Sequence, residues 1–225
     1  VFNAPQANDL FYYSPPSDWG GAMIGNPNLK PETGDVWTIG YDTNISDKTQ
    51  IGINAFYSNL DDAIKWAEID PSNSSGDWTV DNVAKQKKRG MEINVSQKLN
   101  ENFSINGSYS YCKVEENNKD GKGFTRDTNI PPNQYKLGVS FSKDKWDAEI
   151  YGRGASGADK RKYVDSRYLT MDLSLQYKAQ KNYKIYLKGY NLTNAAYAEN
   201  GGISNGKYNF PMPGRSFLVG MEYTF

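Results

Sequence analysis

No histidine occurs among the 225 residues, and Cys112 is the only cysteine. Serine triads with a histidine base, cysteine–histidine pairs and the common histidine metal sites are therefore out of reach. A single thiol also rules out a disulfide framework and a cysteine-rich zinc site. Asp61, Asp62, Asp70, Asp77 and Asp81 gather carboxylates in one stretch. They lack the spacing, turn glycine and distal glutamate of a calcium loop, and solvation accounts for them. What remains is recognition by rings. Phe11, Tyr12, Tyr13 and Trp19, then Trp66 and Trp78, then Tyr197, Tyr208 and Phe210 stand in otherwise polar stretches. Such rings suit stacking on a sugar, a catecholate or a corrin. The competing use is packing of one loop on another, or an aromatic belt at a membrane interface. No enzyme activity, catalytic residue, metal ligand or cofactor is expected.

Composition narrows what could hold these rings. The apolar fraction is 37% and the mean hydropathy −0.77, yet aromatic residues make up 14%, with 17 tyrosines. A membrane barrel has this profile, because only every second strand residue faces lipid and aromatic girdles mark both interfaces. No run approaches eighteen apolar residues, so helices that span a membrane are not expected. Lysine plus arginine and aspartate plus glutamate both number 26. With no block of like charge, a nucleic-acid partner has no support.

From Val36 onward the chain alternates with period two. Trp37, Ile39, Tyr41, Thr43 and Ile45 share one face of a strand, and Thr38, Gly40, Asp42 and Asn44 the other. The same alternation returns at 50–58, 91–99, 103–111, 135–142, 146–153, 169–177, 183–190 and 216–225. This predicts nine strands of about ten residues, the length a tilted strand needs to cross a bilayer. Short turns follow on one side. Connections on the other are long: Asn3 to Asp35, Leu60 to Arg89, Cys112 to Asn133, Gly154 to Arg167 and Leu192 to Pro213. Asp42, Glu92, Lys98, Lys136, Asp147, Glu149, Arg153, Asp172, Lys184, Lys188 and Glu222 all fall on the polar face. A lysine or arginine facing lipid at the midplane costs about 2–4 kcal/mol, so that face must look inward. The fold expected is all-β, an antiparallel up-and-down transmembrane β-barrel. The rival is a soluble β-rich carbohydrate-binding module.

The last strand, Gly214 to Phe225, resembles the terminal strand by which outer-membrane barrels are recognised by their assembly machinery. Gly220, Tyr223 and Phe225 match that pattern, and Leu218 stands where a polar residue is usual. Deleting Phe225 is expected to impair membrane assembly more than ligand recognition. Further boxes occur in order. Phe2-Asn3-Ala4-Pro5, then Asn26-Pro27-Asn28-Leu29 with Lys30-Pro31-Glu32, Asp81-Asn82-Val83-Ala84 with Arg89-Gly90-Met91-Glu92, Asn191-Leu192-Thr193-Asn194 and Pro213-Gly214-Arg215 resemble those of TonB-dependent outer-membrane receptors. Asn3 replaces the usual arginine of the first box.

The resemblance implies the carboxy-terminal portion of such a barrel, nine or ten strands of a probable 22, spanning residues 1–225 without the plug domain. It implies a receptor for a scarce small nutrient, most often a ferric siderophore or other metal chelate. The TonB complex, acting through the missing plug region, the barrel-assembly machinery and the lipid bilayer would be its partners. Haem capture by a histidine between the first two boxes is not expected, since none is present there.

Overall fold

Alternating apolar and polar residues cannot bury a stripe on a helix, whereas a sheet gives each set its own face. In a computed structural model, which describes residues 1–17, 20–70, 76–117 and 123–224, the side chains of 83 and 84 apart, the chain is almost entirely strand. Its elements are β1 (Phe2–Asn3), α1 (Ala7–Phe11), β2 (Tyr13–Ser14), β3 (Met23–Ile24), β4 (Glu32–Ser46), β5 (Thr49–Glu68), β6 (Trp78–Lys98), β7 (Phe103–Asn117), β8 (Thr125–Arg126), β9 (Asn133–Lys143), β10 (Trp146–Ser156), β11 (Arg167–Gln180), β12 (Tyr183–Tyr190), β13 (Ile203–Ser204), β14 (Lys207–Tyr208) and β15 (Ser216–Tyr223). The long strands pair with their neighbours in chain order, from β4 through β7 and β9–β12 to β15, and β1 pairs on β4. That is the up-and-down meander expected. Strands β4, β5, β6 and β7 begin or end well inside the stretches expected as loops, so the segment 60–89 is mostly paired strand.

Two compact units make up the chain, Val1–Thr38, Phe56–Arg89 and Lys113–Asp127 in one, and Ile39–Ala55, Gly90–Cys112 and Thr128–Phe225 in the other. In the second unit the register sorts the two faces row by row. Ile105, Val139, Ile150, Leu173, Gly189 and Phe217 lie side by side across six strands, and Phe103, Phe141, Ala148, Leu175, Leu187 and Val219 form the next apolar row. Between them runs Ser104, Ser140, Glu149, Ser174, Lys188 and Leu218. The apolar rows stand exposed, with Leu137 at 61%, Val219 at 70% and Met221 at 71% accessible. An exposed apolar face of this extent needs lipid rather than water. The polar face carries ion pairs, Lys178 to Asp147 at 2.5 Å and Lys184 to Glu222 at 3.0 Å.

Tyr223 lies on the apolar face of β15, opposite Tyr183, and Gly220 pairs with Tyr186. A Cβ at Gly220 would sit 2.4 Å from the Tyr186 ring, so the glycine leaves room for the tyrosine to cross it. Phe225 lies outside the described residues.

In the first unit the sequence boxes meet. Asn3 Nδ2 donates to Glu32 Oε2 at 2.7 Å, and Glu32 Oε1 accepts the Ile64 amide at 2.8 Å. Asn82 accepts the Lys30 amide at 2.8 Å and donates to the carbonyls of Lys30 and Asp62. Asp62 has a φ of 56° inside β5. Such a left-handed residue interrupts the ladder as a bulge does, and Asn82 and Glu32 take up the backbone groups it frees.

Candidate functional site

The aromatic residues singled out from the sequence divide between the two units. In the first, α1 and β2 carry Phe11, Tyr12 and Tyr13; Phe11 is 73% and Tyr13 65% exposed. Tyr12 meets the half-buried Trp66 of β5 edge to face, with ring centroids 5.8 Å apart. Trp78 opens β6, and its amide donates to the Ala22 carbonyl at 2.8 Å beside the parallel bridge between β3 and β6. Tyr12 with Trp66 is thus a contact between loop and wall, while Phe11 and Tyr13 offer free rings. Trp19 lies outside the described residues.

A more elaborate constellation is built in the second unit. The register of β10 and β11 sets Arg153 opposite Thr170 and Ala155 opposite Tyr168, so Arg153 and Tyr168 project from the polar face. The segment after β12 then returns over them. Tyr197, 3% exposed, stacks on Tyr168 with centroids 4.4 Å apart. Arg153 Nη2 donates to the Tyr197 hydroxyl at 2.9 Å, and Nη1 to Glu199 Oε1 at 3.4 Å. Arg153 Nε is enclosed with no acceptor among the described atoms. Burial pushes the Tyr197 phenol above its usual range, opposed by the adjacent Arg153 cation.

Supporting contacts fix this arrangement. The Tyr163 hydroxyl donates to the Asn129 carbonyl at 2.5 Å and lies 3.1 Å from the Glu199 carbonyl. Tyr208 meets Tyr163 edge to face at 6.3 Å, and its hydroxyl accepts the Asp165 amide. Asn191, left-handed at φ 47°, receives its anchor through its amide, which donates to Asp172 Oδ1 at 2.6 Å. Its side chain reaches the Ala195 and Pro213 carbonyls. The boxed asparagine therefore sets the path of the loop that delivers Tyr197. Phe210 is 67% exposed and has no such role.

Beside Arg153 lies a cleft of about 410 Å³ whose polar walls include Glu92, Asn94, Ser108, Lys136, Tyr168 and Glu199. Two cations and two carboxylates balance, with a tyrosine ring at the edge. That surface suits orientation of a polar, partly aromatic molecule by hydrogen bonds and ring contact. No group of three or more metal-capable side chains occurs among the described residues. Of the rings expected from the sequence, the cleft region brings in Tyr197 and, through Tyr163, Tyr208, and of the inward charges it brings in Glu92, Lys136 and Arg153. Glu199, Tyr168 and Tyr163 were missed. They lie up to 46 residues from Arg153 in sequence, and no spacing signals their meeting.

The family model described as "TonB dependent receptor-like, beta-barrel" matches residues 1–192. The chain belongs to the TonB-dependent receptor β-barrel family. Over its full length it is 27% identical to the vitamin B12 transporter BtuB of Photobacterium profundum, of which it covers 34%. Its fold matches all of this chain to 36% of the copper transporter OprC, with a TM-score of 0.75 at 19% identity. It also matches 91% of this chain to 32% of the ferric enterobactin receptor PfeA of Pseudomonas aeruginosa, at 0.68 and 16%. The chain thus spans about a third of the length of these relatives. The family decides between the two expected folds: this is part of the wall of a membrane barrel. The relatives are named transporters and receptors, and the barrel family places the chain in the outer membrane.

Proposed function

We propose that this chain forms the carboxy-terminal part of the wall of an outer-membrane receptor that takes up a scarce nutrient in a TonB-dependent manner, with a ferric siderophore as the ligand. The family match over residues 1–192 carries the uptake reading. The siderophore reading draws support from the likeness to the ferric enterobactin receptor fold and from the rings and donors about the Arg153 cleft. A catecholate or similar chelate presents flat rings to Tyr168 and oxygen acceptors to Arg153 and Lys136, the two kinds of contact that cleft offers. Energy would arrive through a plug region and the TonB complex, and insertion through the barrel-assembly machinery. Cobalamin is the second reading, favoured by the full-length similarity to a vitamin B12 transporter.

Titration of the purified full-length receptor with ferric catecholate, ferric hydroxamate and cyanocobalamin, followed by tryptophan fluorescence, tests both. Saturable quenching by a ferric chelate and none by cyanocobalamin is the expected result. Quenching by cyanocobalamin alone would replace the siderophore with the second reading.

A further inference from the structure

The short-turn end of the second unit carries lysines where cross-strand pairing disfavours them. Lys178 of β11 lies directly opposite Lys184 of β12, and the Lys178 amide donates to the Lys145 carbonyl at 2.8 Å. Three lysines thus stand abreast, in the turn before β10, on β11 and on β12. Like charges directly opposite each other on a sheet are destabilising. Two carboxylates offset part of this, Asp147 pairing with Lys178 at 2.5 Å and Glu222 with Lys184 at 3.0 Å. Lys145 has only neutral partners among the described residues, its Nζ donating to the Ala179 carbonyl at 2.9 Å and lying 6.0 Å from the centroid of the Tyr177 ring. Lys181, in the turn between β11 and β12, has no carboxylate partner among the described residues.

A cleft of about 500 Å³ lies among Lys145, Gln176, Lys178, Lys181, Lys184 and Glu222. Gln176, Lys178, Lys184 and Glu222 share the polar face with Asp147, while Trp146, Tyr177, Ile185 and Met221 form an apolar row on the other side. The cleft therefore turns away from lipid. Its four lysines meet the two carboxylates of Asp147 and Glu222, leaving two positive charges in excess. Widening the count to the neighbouring turns adds Lys48, Lys98 and Lys143 against Asp47, Glu101 and Asp144, and leaves that excess unchanged. Lys145 and Lys181 are exposed and stand beyond the last paired residues of their strands. The cleft thus opens at the rim, on the side of the short turns, which in outer-membrane barrels faces the periplasm.

We propose that this cleft docks an acidic, extended segment of a separate periplasmic protein, whose carboxylates pair with Lys145 and Lys181 and bridge the opposed Lys178 and Lys184. Strands lie about 4.8 Å apart, so the three lysines abreast span about 10 Å, and an extended peptide repeats one face about every 7 Å. Two carboxylates on alternate residues therefore fit within that span. They supply the negative charge that the cleft lacks and relieve a repulsion already built into the sheet. Lipid lies against the opposite face, and the lysines without carboxylate partners are on the turns, where a partner from outside the barrel meets them first. The proposal rests on the outer-membrane reading and is independent of which nutrient is carried.

Fluorescence anisotropy of a labelled peptide of alternating glutamate and glycine, added to the full-length receptor in phosphatidylcholine nanodiscs, tests it, with the glutamine–glycine peptide as the comparison. Saturable binding of the glutamate peptide is expected, weakening as salt rises. Its affinity is expected to fall about tenfold in K145Q/K181Q, the loss of two exposed ion pairs. It is expected to return in K145R/K181R and to be unchanged in K160Q, which removes a lysine from the loop between β10 and β11. Nutrient binding by the same samples reports the uptake reading separately and is expected to be the same in all of them. Equal peptide binding by the wild type and K145Q/K181Q overturns the proposal. So does equal binding of the glutamine peptide, no saturable binding by the intact receptor, or displacement by phosphatidylglycerol vesicles, which would make the cleft a lipid site.

Discussion

Arg153 shows how little a single residue's type reveals without its partners. As one of eleven inward charges it reads as lumen solvation, and ion pairs of that kind contribute at most about 1 kcal/mol. Its setting is different from that of an exposed pair, because the Tyr197 hydroxyl that accepts from it belongs to a buried ring stacked on Tyr168. Tyr197→Phe keeps the ring and removes only the acceptor, freeing the guanidinium to swing toward Glu199. Weaker binding of the cognate nutrient by about three- to tenfold is expected, with the barrel's heat-induced gel shift unchanged; a typical net hydrogen bond, about 0.5–1.5 kcal/mol, is of that size. Ionisation of this phenol provides a second readout. Its folded pKa lies above the unfolded value near 10, so the folded state holds the proton more tightly. The associated stability is present below about pH 10 and is lost as pH rises through the folded pKa. In the difference between wild-type and Tyr197→Phe titrations at 295 nm, the missing phenol is therefore expected to ionise later than the bulk of the tyrosines. A transition at or below pH 10 would contradict the burial.

For an element the decisive question is what lies on each side of it. Strand β15 pairs with β12 from Ser216 to Tyr223 only because Gly220 admits the Tyr186 ring. Gly220→Val places branched carbons where that ring lies, and a shift to relieve the clash breaks a register that is fixed by the apolar rows. A loss of about 2–3 kcal/mol in the urea-unfolding midpoint is expected, with about half regained when Tyr186→Ala is added. No recovery in the double variant would show that Gly220 matters for another reason. Strands of this kind were legible in the sequence wherever one face meets lipid, as in 169–177, because alternation there is enforced by two different surroundings. The outward runs of β5 and β6 were not. Asp61, Asp62 and Lys65 on one, and Lys85, Lys87 and Lys88 on the other, are polar without regard to parity. A strand that is polar on both faces shows no alternation, and without alternation it reads as loop. The shift of face at Asp62, φ 56°, disguised β5 further. The contact set around Arg153 was hidden for another reason: it depends on loop paths set by Asn191, Tyr163 and Asn129, which leave no periodic mark.

At the scale of the whole molecule, one asymmetry of the second unit matters most: its apolar rows share the exposed face and its charged row lies on the opposite one, the reverse of a soluble domain. Such a chain cannot gain its stability from a buried core. Among the described residues few large side chains are fully buried, and the apolar surface must be removed from water by lipid. Ile150 sits at the middle of β10, flanked by Val139 and Leu173 in the outward row, whereas its neighbour Glu149 lies between Ser140 and Ser174 in the inward one. Adjacent residues on one strand therefore answer oppositely to the same change. In the full-length receptor folded into lipid vesicles, Ile150→Arg is expected to cost about 2–4 kcal/mol by the urea midpoint, the penalty for a cation at the bilayer midplane. Glu149→Arg is expected to change stability by less than about 1 kcal/mol, because that face is hydrated and carries both signs of charge already. Equal penalties at the two positions would mean that β10 has lipid, or water, on both sides, and the sorting of faces that underlies the barrel assignment would fail with it.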